Sequence, residues 1–201
     1  MSPALPAEGL LAPLAIIVLA AGHSRRFGAP DKLETPLDGV PLAFHIADTA
    51  SRLPFGRRFA VCRSRTGLVP EHFLSLGYEV LLNPDPEAGQ GVSLATGAGA
   101  AWAADVAGAL VCLADMPRVG APLLERMAAV WNNDRARPVA ALAAGHLSPP
   151  TLFPRAMLPE LARLDGDRGA RHLLADTVLV PATGDELADF DYPADFGPPA
   201  A

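Results

Sequence analysis

The sequence has a single lysine, Lys32, although Lys and Arg together number 16 among its 201 residues. The formal net charge is −6 at pH 7, and no segment gathers enough arginine to follow a phosphate backbone. A protein that binds nucleic acid through a broad basic surface needs such a segment. The composition therefore excludes a general nucleic-acid surface, but it leaves a local anion pocket open.

Cysteine is also scarce, since Cys62 and Cys112 are the only two in the sequence. Both lie in apolar runs typical of strands, so we interpret them as reduced core thiols rather than as a disulfide or a metal pair. The five histidines are scattered and show no spacing typical of metal ligands. Neither residue type predicts a metal centre.

No lysine or arginine precedes the first apolar run, residues 10–22 (LLAPLAIIVLAAG), whereas Glu8 does. A secretory signal needs positive charge before its apolar stretch, and this run is too short to cross a bilayer. We therefore predict a buried first strand behind a flexible tail at residues 1–13, no membrane partner, and a cytoplasmic location.

Short apolar runs alternate with helix-like segments along the chain. The composition, 50% apolar and 19% charged, suits one compact domain with a sizeable core. Strands are predicted at residues 14–20, 57–63, 78–83, 109–115, 138–144, 151–153, 177–181 and 187–191. Helices are predicted at residues 41–53, 71–76, 91–104, 122–131, 154–164 and 169–176.

This alternation, with short connections, predicts an α/β fold in which helices cover both faces of a mostly parallel sheet. No repeat or linker divides the sequence, so we expect a single domain over residues 14–196 and a short tail at 197–201. Ligands of such sheets bind beyond the carboxyl ends of the strands. Polar residues that directly follow strands are therefore the candidates for a site.

The first strand is followed by a glycine loop, LAAGHSRRFGAPDK (residues 19–32). Gly22 and Gly28 allow positive φ angles, and successive N–H groups in such a turn can form an anion-binding concavity. Arg26 and Lys32 can add positive charge above it. The loop matches neither a Walker A motif nor GxGxxG, so a purely structural turn stays an alternative.

Acidic residues lie at the end of the predicted strand at 109–115 and within the predicted strand at 187–191. Asp115 lies in LADMP, where a carboxylate would suit a hard cation such as Mg²⁺. A strand at 187–191 would put Asp189 and Asp191 on one face, and one of them could complete a two-carboxylate site with Asp115. A loop-turning acid and a solvated acidic surface are the alternatives.

The segment after the third long strand, NPDPEAGQGVSLATG (residues 83–97), offers groups for a nucleoside. Asn83 and Ser93 can form hydrogen bonds to a base or ribose, and Gly91 lets the chain pass close to a flat ring near a helix start.

A later segment, LDGDRGAR (residues 164–171), could bind a second phosphate. Asp167 is a predicted helix N-cap, and Arg168 and Arg171 share one face of that helix. The two arginines could equally belong to a solvated surface.

In order and spacing these motifs resemble a known family. The glycine loop is similar to the A-A-G-x-S-x-R-[MF]-G-x-x-x-K signature of nucleotidyltransferases that make nucleoside diphosphate conjugates. LADMP and the D-x-D-x-P-x-D tail look like later blocks of the same family. GDRGAR resembles the G-D-x-G-A-R block of the molybdenum cofactor cytidylyltransferase (MocA-like) branch of the MobA-like NTP transferases. The resemblance covers residues 14–196.

The resemblance implies a Rossmann-like (GT-A-like) nucleotidyltransferase domain. The implied reaction is attack of a molybdopterin-type phosphate on the α-phosphorus of an NTP, with CTP favoured and pyrophosphate released. Arg26 and Lys32 would hold the triphosphate, and Asp115 and Asp191 would coordinate Mg²⁺; the implied catalytic residues are Arg26, Lys32 and Asp115. The remaining implied contacts are Leu19, Ala20, Ala21, Gly22, Asn83, Gly91 and Ser93 to the nucleotide, and His146, Asp167, Arg168 and Arg171 to the acceptor.

Three other functions fit the same motifs. The protein could be a guanylyltransferase, a transferase that acts on another small phosphate, or a non-catalytic nucleotide-binding partner of a molybdenum hydroxylase. By resemblance the AAGH turn favours CTP as the substrate, but the sequence does not decide between CTP and GTP. A molybdenum hydroxylase apoenzyme is an expected partner whether the protein is the transferase or a non-catalytic nucleotide-binding protein.

Overall fold

The computed structural model describes residues 7–22, 31–166 and 169–196 of the chain. The strands of this part are Leu14–Ala20 (β1), Pro36–Leu37 (β2), Val40–Pro41 (β3), Arg57–Cys62 (β4), Glu79–Leu82 (β5), Gly108–Leu113 (β6), Val139–Ala143 (β7), His146–Pro154 (β8) and Val178–Pro181 (β9). The α-helices are Ala7–Leu11 (α1), Leu42–Ser51 (α2), Leu68–Ser75 (α3), Gln90–Ala103 (α4), Ala121–Asn133 (α5) and Leu158–Leu161 (α6). Short 3₁₀ turns lie at Lys32–Glu34, Pro86–Ala88, Arg155–Met157, Ala170–Leu173 and Pro193–Phe196.

Within the described residues, seven strands form one sheet in the order β5-β4-β1-β6-β8-β7-β9. The neighbours β5, β4, β1 and β6 are parallel, as are β7 and β9, whereas β8 runs antiparallel to both β6 and β7. All seven residues of β1 are buried, as a continuous apolar run predicts for a central strand covered on both faces. The predicted mostly parallel α/β fold is confirmed.

Two apolar cores lie on opposite faces of this sheet. Ile16 and Val18 of β1 face the core formed with α1, α2, α3 and α5, whereas Ile17 and Leu19 face the core formed with α4 and α6. Successive residues of a strand point to opposite faces, so one strand supplies both cores. Helix α4 lies very close to β1, because a Cβ at Gly97 would come within 2.5 Å of Ile17 Cγ2.

Helix α1 overturns part of the predicted flexible tail at residues 1–13. Leu11 is fully buried in the core, and α1 packs against α5. The chain then leads into β1 through Pro13, whose carbonyl accepts a hydrogen bond of 2.8 Å from the Ala107 amide. The prediction of a flexible tail is wrong for residues 7–13, because the apolar side chains of Leu10 and Leu11 pack in and against the core.

Strand β8 extends well beyond the predicted strand at 151–153 and forms a hairpin with β7 that the sequence pattern missed. The two-residue loop between them has positive φ at both positions, 49° at Ala144 and 81° at Gly145. Such a loop matches the twist of paired antiparallel strands, and glycine is the residue that adopts it without strain.

Three other predicted elements are shorter or absent. The helix predicted at 154–164 is reduced to a 3₁₀ turn and α6, and the one predicted at 169–176 is the 3₁₀ turn Ala170–Leu173. The prediction of a strand at 187–191 is wrong, because this segment crosses the carboxyl edge of the sheet and pairs with no strand there. Its apolar residues Leu187 and Phe190 are instead buried in the core.

Cys62 and Cys112 are free and buried in the core, where they were predicted to lie. Burial raises the pKa of the Cys62 thiol to about 12, so it is protonated and unreactive near neutral pH. Of the helices in the described part of the chain, none has the length and apolar character needed to cross a membrane.

Candidate active site

A cavity of about 420 Å³ opens at the carboxyl edge of the sheet. Strands β1, β4 and β6 end together there, since Leu19 is in register with both Val61 and Leu113. The residues that line this first cavity are Leu19, Ala21, Gly22, Lys32, Leu33, Pro86, Glu87, Gly89, Gln90, Ser93, Leu113, Asp115 and Asp191. The cavity lies where ligands bind in α/β sheets of this kind.

Lys32 stands between two carboxylates in the first cavity. Its Nζ donates hydrogen bonds of 2.7 Å to Asp115 Oδ2 and of 2.7 Å to Asp191 Oδ1. Burial by itself lowers the pKa of the Lys32 ammonium, but the charge of Asp115 and the hydrogen bonds to both carboxylates outweigh it and raise the pKa. Lys32 is therefore protonated and positively charged at neutral pH.

The backbone of Lys32 is held by the residue before it. Asp31 caps the 3₁₀ turn Lys32–Glu34, since its side chain accepts a hydrogen bond of 3.0 Å from the Leu33 amide. The other carboxylate oxygen of Asp31 pairs with Arg63, which follows β4. Lys32 is thus tied to the end of a neighbouring strand.

Asp115 and Asp191 are brought together by the return of the chain to the sheet edge. Asp115 follows β6, and the Ala114 amide donates a hydrogen bond of 3.0 Å to the Leu19 carbonyl at the end of β1. The Phe190 amide donates one of 3.0 Å to the Asp115 carbonyl, and the Phe190 ring is buried in the core. Asp191, the next residue, is therefore carried to the carboxylate of Asp115.

The site fits a hard divalent cation. Asp115 Oδ1 is buried and has no hydrogen-bond partner among the described residues, and carboxylate oxygens are the ligands that Mg²⁺ and Mn²⁺ prefer. No group of three or more His, Cys, Asp or Glu in these residues is placed to hold a metal ion. A cation on Asp115 and Asp191 would therefore take its other ligands from phosphates and water, as Mg²⁺ commonly does.

Asp189 is not part of this arrangement. It is exposed and does not line the first cavity, whereas Asp191 does. The two residues do not share one strand face as predicted, because residues 187–191 form no strand. Of the two acids, the structure brings only Asp191 to Asp115.

Asn83 and Gly91 hold the site together from inside rather than line it. Asn83 is buried, and its Nδ2 donates a hydrogen bond of 2.8 Å to Ser93 Oγ while its Oδ1 accepts one of 2.9 Å from the Asp85 amide. The Gly91 amide donates to the Gly166 carbonyl at 3.0 Å, so it is engaged within the protein. Ser93, by contrast, reaches the cavity.

The glycine loop contributes its first residues to the cavity. Leu19, Ala21 and Gly22 line it, whereas Ala20 packs into the core on the opposite face of the sheet. Residues 23–30, with the predicted triphosphate contact Arg26, lie outside the described residues.

Several lining residues were missed by the sequence analysis, among them Glu87 and Gln90. Asp85 caps the 3₁₀ turn Pro86–Ala88 through hydrogen bonds of 3.2 Å to the amides of Glu87 and Ala88. Gly89 then has φ of 107°, which favours glycine, and it places Gln90 at the first turn of α4. The Asp-Pro and Gly-Gln-Gly patterns were the available signals.

A second cavity of about 420 Å³ adjoins the first and shares Leu19, Gln90 and Leu113 with it. Its walls are mainly apolar side chains of α4, β6 and β8, with Arg171 contributing a positive charge. Of the predicted acceptor residues, Arg171 lines this cavity, whereas His146 is exposed at the start of β8 and does not. Asp167 and Arg168 lie outside the described residues.

The fold and the site together define a nucleotidyltransferase, an enzyme whose chemistry needs positioned charges at the ends of parallel strands rather than a protein nucleophile. Comparison with known proteins identifies the family of nucleotidyltransferases to which the chain belongs. Residues 16–182 match the MobA-like NTP transferase domain, and the chain belongs to this family.

Relatives and solved structures agree with this assignment. The purine catabolism protein PucB of Bacillus subtilis is 29% identical over 193 residues, which cover 90% of this chain and 92% of PucB. A crystal structure of Rv0371c from Mycobacterium tuberculosis superposes with a TM-score of 0.72 at 25% identity, covering 91% of this chain and 95% of that one. Another structure of Rv0371c is a complex with manganese, with a TM-score of 0.68 at 21% identity over 91% of this chain and 95% of that one. A nucleotidyl transferase from Methanothermobacter gives a TM-score of 0.75 at 21% identity, over 91% of this chain and 94% of that one.

Proposed function

We propose that this nucleotidyltransferase joins the NMP of an NTP, with CTP favoured, to the phosphate of a molybdopterin-type acceptor and releases pyrophosphate. The observation that carries the proposal is the cluster of Lys32, Asp115 and Asp191 in a cavity that adjoins a second one. Transfer between two bound molecules requires two adjoining sites with the charged groups at the first. The cytidylyl and molybdopterin parts of the proposal rest on the AAGH turn and the GDRGAR block.

Asp115 and Asp191 would hold a divalent cation, proposed to be Mg²⁺. When bound, the cation neutralises phosphate charge and orients the triphosphate for in-line displacement. The carboxylate chemistry of the site and the buried, unpartnered oxygen of Asp115 support this assignment. The manganese complex of Rv0371c supports it from a relative of the same fold.

Lys32 would bind the phosphates of the NTP. An ammonium on a flexible stem is a mobile point charge, which suits a group whose geometry changes during reaction. Lys32 contacts the carboxylates of Asp115 and Asp191. Phosphate oxygens could replace these contacts when a divalent cation takes over the two carboxylates. Arg26 stays a proposed second phosphate contact.

The walls of the two cavities suggest where each substrate lies. Ala21, Gly22, Gln90 and Ser93 all line the first cavity, where small and polar residues suit a ribose and base. The second cavity offers apolar side chains for the body of an acceptor and Arg171 for its phosphate. Gln90 lines both and would lie where the two substrates meet.

A pyrophosphate-release assay tests the proposal. The protein is incubated with Mg²⁺, molybdenum cofactor released from a molybdenum enzyme, and each of the four NTPs in turn. Release is expected with CTP and cofactor together, and Asp115→Asn is the matched inactive control. Release with GTP alone among the NTPs would change the base assignment, and no release with any NTP would contradict the proposed acceptor.

A further inference from the structure

The segment that carries Asp191 is held in place by another acidic residue, Asp195. Asp195 Oδ2 accepts hydrogen bonds of 2.8 Å from the Asp191 amide and of 2.7 Å from the Tyr192 amide. The Asp195 amide in turn donates one of 3.0 Å to the Tyr192 carbonyl. An acidic third residue that reaches back to the amide before a helical turn is one half of a capping box.

The other half of a capping box is missing from this turn. The residue before Pro193–Phe196 is Tyr192, whose exposed phenol is not one of the short oxygen-bearing side chains that cap a turn. The side-chain capping of this turn therefore falls to Asp195. Because one of the two capped amides belongs to Asp191, the cap also fixes the backbone that carries the proposed metal ligand.

Asp191 needs this support more than Asp115 does. Asp115 follows a central strand, whereas Asp191 lies in a segment that is neither helix nor strand. On its N-terminal side the segment is held by the hydrogen bond from the Phe190 amide to the Asp115 carbonyl. On its C-terminal side it is held by Asp195 and by the edge-on contact of Phe190 with Phe196, whose ring centroids are 5.4 Å apart.

We infer that Asp195 is a positioning residue: it lies outside both cavities and acts by holding the Asp191 amide so that the carboxylate faces Asp115. The inference rests on the proposed metal-dependent function. Loss of a group that orients the ligands of a metal ion typically costs roughly 10- to 100-fold in metal affinity or activity. Asp195 therefore controls the affinity for the cation and its NTP complex more than the rate of the chemical step.

Two other effects of Asp195 have to be separated from positioning. Its negative charge could attract a cation at a distance, and its hydrogen bonds could merely stabilise the fold. Asp195→Asn removes the charge but keeps a carbonyl oxygen that can accept both hydrogen bonds, whereas Asp195→Ala removes both. Asp189→Ala is the matched control, since it removes an exposed acid of the same segment.

The experiment is a Mn²⁺ titration of the purified variants, with and without CTP, in which free Mn²⁺ is followed by electron paramagnetic resonance. Asp195→Ala is expected to weaken Mn²⁺ binding about tenfold, whereas the Asn variant and the Asp189→Ala control stay close to wild type. In steady-state assays, Asp195→Ala should raise KM for the metal–NTP complex more than it lowers kcat. In an Asp191→Ala background, Asp195→Ala should cause no further loss of Mn²⁺ affinity.

The outcomes that overturn the inference are distinct from those that overturn the proposed function. If Asp195→Ala binds Mn²⁺ as wild type does, or if the Asn variant loses as much affinity as the Ala variant, positioning is wrong while the metal site stands. If the wild-type protein binds no Mn²⁺ with or without CTP, the proposed metal-dependent function fails as well. Melting temperatures identify a variant that unfolds, and Asp195→Ser, whose shorter hydroxyl cannot span both amides, then replaces Asp195→Ala.

Discussion

The two carboxylates that flank Lys32 come from very different parts of the molecule. Asp115 lies two residues beyond the end of β6, a strand in the middle of the sheet that is paired on both sides. Asp191 comes from an irregular segment near the end of the described chain, held by a few hydrogen bonds and by the buried ring of Phe190. The pair thus joins a carboxylate fixed by the sheet to one that depends on local anchors.

This difference teaches how a site of this kind can be adjusted. A strand end is specified by the whole sheet, so Asp115 cannot move without disturbing the core. The chain is joined to the rest of the domain at separate points just before the 187–196 segment, by the ion pairs of Arg118 with Asp185 and of Arg126 with Glu186. Changes at those points can alter the second carboxylate while the fold stays intact.

The largest effect is expected from removing the Lys32 ammonium, which forms hydrogen bonds to both carboxylates. Lys32→Ala should lower turnover about 10³-fold, because a positioned positive charge on the phosphates is lost. The same change should strengthen Mn²⁺ binding in the absence of nucleotide, because the ammonium no longer occupies the two carboxylates. Pyrophosphate release and Mn²⁺ titration measure the two effects, and turnover close to wild type would show that Lys32 is not a phosphate contact.

The two carboxylates themselves should differ in effect. Asp115→Asn is expected to lower turnover about 10³-fold and Asp191→Asn about 10²-fold, because Asp115 is the more buried and more rigid charge. Their side chains are 23% and 30% exposed, respectively. Asp189→Asn is the matched control and should be nearly neutral. Equal losses for Asp115→Asn and Asp191→Asn would mean that rigidity does not distinguish them.

A smaller effect is expected at the anchor of the 187–196 segment. Phe190→Leu should lower the free energy of unfolding by about 1 kcal/mol, since a buried ring and an edge-on aromatic contact are lost. Phe73→Leu is the matched control, because Phe73 is also buried and makes an edge-on contact with Tyr78 at 5.0 Å, away from the site. Both variants should lose similar stability in urea unfolding, but only Phe190→Leu should weaken Mn²⁺ binding. Weakened binding in both would point to a general loosening of the fold.

The smallest effect concerns pH. The pKa of Lys32 is raised above the ordinary lysine value of 10.5, so its ion pairs stabilise the fold fully below that pH. This contribution is lost as the pH rises through the higher pKa of the folded protein. The melting temperature of wild type should exceed that of Lys32→Met by a constant amount from pH 7 to about 10, and the difference should shrink above pH 10.5. A difference that persists at high pH would contradict the role of the ion pairs.

The parts of the fold that could be predicted are those set by local pattern. β1 was recognisable because a strand buried on both faces has to be apolar throughout. Asp115 was recognisable because it lies close to the end of another such strand, β6. The strand at 187–191 was predicted wrongly for a related reason. Its buried residues, Leu187 and Phe190, are three apart, and their burial comes from a crossing of the sheet edge that alternation does not encode.

The site was less predictable where side chains serve the protein itself. Asn83 directly follows β5 and Gly91 lies in the first turn of α4, and both were predicted to contact the nucleotide. Their hydrogen bonds to Ser93 and Gly166 join segments distant in sequence, which a linear pattern does not reveal. Gln90 was missed for the opposite reason, because its importance comes from the place where two cavities meet and not from its residue type.

The isolation of Lys32 as the sole lysine gives the protein a built-in spectroscopic reporter. Apart from a terminal amine, it is the one primary amine that reductive methylation with ¹³C-formaldehyde would label. The resulting dimethylammonium signal would come from the site itself, where the Lys32 side chain is 10% exposed and its amine lies between two carboxylates. Labelling should be slow in the resting protein, and its rate would report how often the ammonium leaves its carboxylates. One resonance could then follow exchange of carboxylate for phosphate in real time.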